Sequence, residues 1–487
     1  MLFNSLHFLF FLPVVVLLYY LLAQRFRWIL IFVASCYFYM AFVPKYILIL
    51  FLIIIIDYSA ALFIEKAQGR LRLIYLVGSL AANILLLCFF KYFNFLNENL
   101  TAVFSLFGKE FTPSNLNILL PIGLSFHTFQ SMSYTIEVYK GRQKAERHLG
   151  YFANYVLFFP QMVAGPIERY ETLGNALKQE HKPLYQNFSD GFKLILYGLF
   201  VKMVVADNIA PIVNGVYFEP EKYSSAEIWL AVFLFSFQIY ADFSGYSTIA
   251  LGSARLLGIS IMDNFKTPYL SKSVSEFWSR WHISLSTWFR DYVYIPLGGN
   301  RVGIPRWSFN IMVVFMLSGL WHGASWTFVA WGALNGLMLL LERYFSRIFK
   351  FEIKPGWSFL NALLVVKTFV ITSVIWIFFR AENFAKAKLM LAGLFKDGFA
   401  EIFAKARFMI AELFKNNPVA VADVKLMIPL ALTGLLILFD LFLYNSRFDK
   451  RLSPLKIPYR WAVYTVLLFF LLAMSGTQKF TFIYFQF

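Results

Sequence analysis

Apolar runs long enough to cross a bilayer recur from one end of this chain to the other, and they restrict its architecture more than any other feature does. The hydrocarbon core of a membrane, about 30 Å thick, takes roughly 20 helical residues to span. With 59% of its 487 residues hydrophobic and 20% aromatic, the chain is too apolar for soluble domains with ordinary surfaces. It reads as an all-α polytopic membrane protein. Spans are predicted at about 6 to 23, 28 to 43, 46 to 63, 73 to 91, 118 to 137, 190 to 214, 226 to 241, 307 to 321, 325 to 342, 357 to 379, 425 to 443 and 460 to 477. That is roughly twelve crossings, within a range of about 11 to 13. The first run, Leu6 to Leu22, is followed rather than preceded by basic residues, Arg25 and Arg27; this is the reverse of a secretory signal peptide, so it is expected to stay as the first span. Cys36 and Cys88 both fall inside apolar runs, where packing explains them better than a disulfide or a metal does.

The formal charge of +17 does not imply nucleic acid, because the basic residues are scattered through short loops with no basic-aromatic domain to carry a polynucleotide. They fit orientation instead. Arg25/Arg27, Arg70/Arg72, Lys140 to Arg147, Arg280 to Arg306, Arg343 to Lys350 and Arg447 to Arg451 can all lie on the cytoplasmic side, which places both termini outside. For these loops to stay on one side, the apolar stretch 150 to 166 must enter and leave by the same face, as a re-entrant segment. The chain reads as one integral membrane domain, 1–487, with N-terminal helices over 1–140, a catalytic core over 141–345 and C-terminal helices over 346–487. The connection 380 to 423, with Phe403, Phe408, Met409 and Leu413 at amphipathic spacing, is expected to lie along a membrane surface.

Polar residues that could do chemistry gather in the predicted core. Ser273-Val274-Ser275-Glu276 has the capping-box spacing that starts a helix, and Glu276 and Arg280 stand at i,i+4. One helix is therefore expected from about 274 to 290, carrying Trp278, His282, Leu285 and Phe289 on one face. It is too short and polar to span, but suits a protein-lined cavity. His282 then either serves a reaction or hydrogen-bonds within an aromatic belt. Between Arg306 and Arg343 two apolar helices are interrupted at Ser318-Gly319-Leu320-Trp321-His322-Gly323-Ala324-Ser325. Gly319 and Gly323 permit close helix approach, and His322 sits roughly 24 Å along the helix from Arg306. Histidine is readily tuned to exchange a proton near neutral pH, and an ionisable group at membrane depth is costly enough to point to function. Asp242, within Gln238 to Ser247, is expected at a helix break, where it orients a histidine, pairs with an arginine or caps a helix from about 244 to 258. His127 is a further membrane histidine with no acid-base arrangement beside it. No short helical spacing of histidines or carboxylates suggests a metal, and neither a nucleophile elbow nor a phosphate-binding glycine loop is present.

Met162-Val163-Ala164-Gly165-Pro166-Ile167-Glu168-Arg169, Gln238 to Ser247, Phe277 to Tyr292, Tyr294 to Arg301 and Ser318 to Ser325 resemble the signature stretches of the membrane-bound O-acyltransferase superfamily, in particular its alginate O-acetylation branch. The likeness extends to Phe482 to Phe487, and the branch also takes in peptidoglycan and cellulose O-acetylation and, more distantly, teichoic-acid D-alanylation. The resemblance implies a helical fold with re-entrant and interfacial helices, His322 as the essential deep histidine and His282 as the second motif histidine. Asp242, Trp281, Trp321, Arg280 and Asn300 lie in the same motifs as supporting candidates, and His127 receives no catalytic role. It further implies a bacterial inner-membrane enzyme that uses acetyl-CoA or another cytoplasmic acetyl thioester as donor, no metal, a polysaccharide hydroxyl as acceptor and a hydrolase-like extracytoplasmic partner. Arg255, Lys266, Lys272, Arg290 and Arg301 are candidates to attract the donor's anionic head or simply to obey the positive-inside rule. The competing classes are a proton-coupled transporter of an anion or saccharide, using the same histidines and Asp242 as a relay, and a non-catalytic subunit of an export complex.

Overall fold

The computed structural model describes residues 1–487 except 112, 117–120, 122, 164, 351, 352, 354, 355, 357, 399, 403, 406, 408–420, 476–481 and 484–487, with the backbone alone for 421–425. The amphipathic positions Phe403, Phe408, Met409 and Leu413, and residues 118–120 and 122 of the fifth expected span, lie outside the described residues. Every regular element among the described residues is helical, which is the all-α polytopic architecture expected. Among the described residues, seven helices are long and apolar enough to cross a membrane by length and composition: Pro44–Lys66, Gly69–Leu106, Tyr185–Phe218, Ser225–Leu256, Phe359–Arg380, Leu426–Leu443 and Ile457–Met474. Leu6–Leu21 is a shorter apolar helix. Contacts divide the chain into two units, Met1–Ile195 with Ser247–Asp263, and Leu196–Tyr246 with Asn264–Phe487.

The first unit begins with α1 (Leu6–Leu21), α2 (Gln24–Met40), α3 (Ile47–Lys66), α4 (Gly69–Leu87), α5 (Phe93–Leu106), α6 (Leu124–Tyr139) and α7 (Leu149–Leu157). Helices α3, α4 and α6 pack together. At the α3–α4 contact lies a buried polar knot, in which Ser79 donates to Asp57 while Asn83 Nδ2 reaches both Asp57 oxygens at 2.9 and 3.1 Å. Such a carboxylate is tolerated in an apolar bundle because its oxygens find donors inside it. Helix α7 is nine residues long, a rise of about 14 Å that falls well short of a bilayer core. Past Leu157 the chain turns through Phe158 to Val163 rather than continuing as a helix. Helix α6 holds this turn from the side: His127 Nδ1 lies 2.8 Å from the Val156 carbonyl and Gln130 Nε2 donates to that of Tyr155 at 2.5 Å. His127 is thus tied to the backbone it supports.

Next come α8 (Tyr185–Leu199), a π stretch over Phe200–Ala206, α9 (Asp207–Phe218) and α10 (Ser225–Leu256). Helix α10 runs unbroken for 32 residues, which corrects the break expected at Asp242. The glycine beside that position serves packing: a Cβ on Gly245 would lie 2.9 Å from both the Gly198 carbonyl oxygen and the Lys202 amide nitrogen. A residue that reads locally as a helix breaker is here a place where two backbones meet.

The second unit continues with α11 (Val274–Arg280), α12 (Ile283–Phe289), α13 (Ile304–His322), α14 (Trp326–Ile348), α15 (Phe359–Arg380) and α16 (Phe384–Gly393), followed by helices over Val421–Leu443, Phe448–Leu452 and Ile457–Met474. Helices α13 and α14 form a close hairpin. A Cβ on Gly319 would come to 2.1 Å from the Phe328 carbonyl oxygen, and one on Gly332 to 2.1 Å from that of Phe315. Gly323 meets the Phe328 ring in the same way. The small residues around Trp321-His322 therefore set the approach that places this histidine.

Candidate active site

Ser273 caps the helix as its spacing predicts, while Glu276 reaches one residue past the cap. Ser273 Oγ accepts the Glu276 amide at 3.0 Å, Glu276 takes the Lys272 amide at 2.8 Å, and Arg280 Nη2 pairs with Glu276 at 2.6 Å. Arg280 also donates to Asn445 Oδ1 at 2.7 Å and lies over the Tyr444 ring at 5.4 Å. It ties α11 to the chain segment around residue 445 and is 9% exposed.

The single helix expected over 274 to 290 is two helices, broken at Trp281-His282. Trp281 is extended, with ψ 128°, and His282 is left-handed, with φ 44° and ψ 54°. Such a backbone costs a residue with a Cβ about 1–3 kcal/mol and persists only where its surroundings impose it. Asn264, 2% exposed, imposes it here. Its carbonyl accepts from Ile283 N at 3.0 Å, and its Oδ1 accepts from Ser284 Oγ at 2.7 Å and Ser284 N at 3.3 Å. The start of α12 is thus capped by a residue about twenty positions earlier, so no local signal marks the break. The shared face predicted for Trp278 and His282 does not survive it.

The break turns His282 toward α13. Its ring centroid lies 6.4 Å from that of His322 and 6.2 Å from that of Trp321. Exposures are 1% for His282 and 5% each for His322 and Trp321. His322 is the last residue of the 19-residue α13. Trp331 stands edge-on to it at 5.1 Å and Phe379 at 5.3 Å. Trp281 is 1% exposed and packs on Phe277 and Trp376, which makes it part of the wall behind His282. Phe243 of α10 lies 4.7 Å from His282, ring edge to ring face. Local sequence gives no hint of Asn264, Phe243 or Phe379 as neighbours, because each reaches the site from a distant part of the chain, whereas Trp331 comes from the next helix of the hairpin.

The remaining candidates lie elsewhere. Asp242 is mid-helix, and its partner is neither histidine nor arginine but Lys202, 2.5 Å away, with a second bond from the Ile483 amide at 2.6 Å. All three proposed roles, helix capping among them, give way to a buried ion pair. Asn300 is exposed in a turn beyond Tyr294. Of the five basic candidates, Arg255 binds Ser260, Lys272 donates to the Gly356 carbonyl, Arg290 pairs with Asp291, and Lys266 and Arg301 are exposed. No cluster of three or more metal-ligating side chains occurs among the described residues.

The structure thus brings together two buried histidines from separate elements, one at a helix end and one in a forced turn, and imidazoles so placed can exchange a proton with a bound group away from bulk water. The profile of the MBOAT, membrane-bound O-acyltransferase family, matches residues 80–381, a range that contains both of them. The chain belongs to this family. Among its relatives, the probable alginate O-acetylase AlgI of Pseudomonas putida is 38% identical over 82% of this chain and 81% of its own length. The peptidoglycan O-acetyltransferase of Helicobacter pylori is 34% identical over 81% and 80% of the two chains. A teichoic acid D-alanyltransferase of Streptococcus thermophilus is 33% identical over 47% of this chain and 58% of its own. This membrane-bound O-acyltransferase is accordingly a multi-pass membrane enzyme that transfers acyl groups to hydroxyls, and the expectation of family drawn from its motifs is met.

Proposed function

We propose that this enzyme takes an acetyl group from a cytoplasmic thioester, acetyl-CoA, and passes it toward a hydroxyl of an extracytoplasmic polysaccharide of the alginate or peptidoglycan kind, through a hydrolase-like partner. The bacterial inner membrane is its place, with both termini outside. The relatives' names support the acceptor class, and the scattered basic loops support the orientation. What carries the reading is the approach of His322 and His282, whose rings lie 6.4 Å apart in an aromatic surround.

A thioester is already activated, so the protein has to align the reactants, exclude water and take one proton. His322 is the general base. It removes the proton from the attacking hydroxyl as oxygen bonds to the thioester carbon, and returns it to the thiolate when the carbon–sulfur bond breaks. His282 steadies the donor carbonyl or the oxyanion that develops on it. Trp321 and Trp281 keep the pair dry, and Arg280 fixes the helix that precedes His282.

Purified protein incubated with labelled acetyl-CoA and a series of hydroxyl acceptors tests this. The expected result is thioester consumption that depends on His322, with label appearing in the acceptor. Uptake of a solute without thioester loss would replace the enzyme reading with transport.

A further inference from the structure

Lys202, 1% exposed, lies 2.7 Å from Asp207 Oδ1 and 2.5 Å from Asp242 Oδ1. One ammonium facing two carboxylates leaves acceptor oxygens in need of donors, and buried acceptors are rarely left without them. Asp242 Oδ2 obtains its donor from the backbone N–H of Ile483, 2.6 Å away and 241 residues further along the chain. Hydrogen bonds to a charged acceptor are the short and strong ones. This bond secures Phe482, which is 0% exposed, with its ring 4.5 Å from Tyr246 and 5.9 Å from Phe243. Phe243 in turn meets the His282 ring at 4.7 Å and 86°. The four contacts connect a buried carboxylate to a histidine whose left-handed backbone needs outside support.

We propose that Phe482 and Asp242 are positioning residues. The segment at Phe482–Ile483, seated on the Asp242 carboxylate, braces His282 through Phe243. Its bearing on acyl transfer rests on the role given to His282 above. The brace accounts for a carboxylate whose partners are Lys202 and the Ile483 amide, and for the full burial of Phe482.

Membranes containing the full chain are treated with diethyl pyrocarbonate, and carbethoxylation of His282 is followed by peptide mass spectrometry, with exposed His7 as the internal reference. His282 should be protected in the wild type and should react about tenfold faster in Phe482→Ala, because loss of the brace raises the population of locally opened states. Phe482→Leu, which keeps most of the apolar volume, should lie between the two, and it carries the test if the alanine variant does not accumulate. The turnover number should fall in the same order while KM for the donor holds. Wild-type His282 reactivity in both variants overturns the brace. Raised reactivity with unchanged acyl transfer upholds the brace and removes His282 from the reaction. Ile483→Pro deletes the N–H that Asp242 receives, and wild-type His282 reactivity in that variant removes Asp242 from the proposal.

Discussion

His322 closes a 19-residue helix, whereas His282 occupies a left-handed turn between two seven-residue helices, so substitutions at the two positions test different things. His322→Ala leaves α13 free to form and should lower acyl transfer by about 10²- to 10⁴-fold, the usual contribution of a general base, with membrane levels of the protein unchanged; turnover near the wild-type value would end the assignment. At His282, glutamine keeps a hydrogen-bond donor that alanine lacks, so His282→Gln should retain more activity than His282→Ala in the same assay. Asn264 is the residue on which the turn depends. Asn264→Ala deprives Ser284 of its buried acceptor and should cost about 1–3 kcal/mol, seen as a lower unfolding midpoint in detergent together with reduced turnover. The two histidines were legible as candidates in the sequence because ionisable side chains are conspicuous in apolar runs. Asn264 was not, since an asparagine in a loop carries no mark of the amides it will accept.

Local and non-local causes separate cleanly among the helices. Helix α11 starts where the capping box says, because Ser273 accepts the Glu276 amide and Glu276 reaches back to the amide of Lys272, all within about one turn. Its end at Trp281 follows from acceptors outside the helix, and a period-based reading carries the helix on to residue 290 for lack of any local stop. The α13–α14 hairpin makes a sharper case for close packing. Since a Cβ on Gly319 or Gly332 would strike backbone at 2.1 Å, Gly332→Ala should force the pair apart, lowering both the thermal midpoint and turnover. Gly434→Ala meets no atom within 4 Å and should do neither. Equal midpoints for the two variants would show that the hairpin yields without cost.

Across the whole molecule the question is sidedness. In sealed, oriented vesicles, acetyl-CoA supplied only to the cytoplasmic face should support transfer; activity from outer-face donor alone would contradict the orientation read from the basic loops. Polymer acetylation should require a hydrolase-like partner added on the outer side, and efficient regiospecific acetylation by this chain alone would dispose of that partner. Sequence by itself determined the helical membrane class, because a bilayer demands long apolar helices wherever the chain crosses it. It also determined the starts of helices with local caps, the glycines of the close hairpin and the family, through motifs contiguous in the chain. The tertiary structure alone decided that His282 leaves its helix to face His322, that α10 continues through Gly245, and that Asp242 pairs with Lys202 and receives Ile483. Each of these depends on hydrogen bonds, ion pairs or close backbone contacts between residues far apart in sequence, and periodicity registers only the forces that repeat within a turn or two.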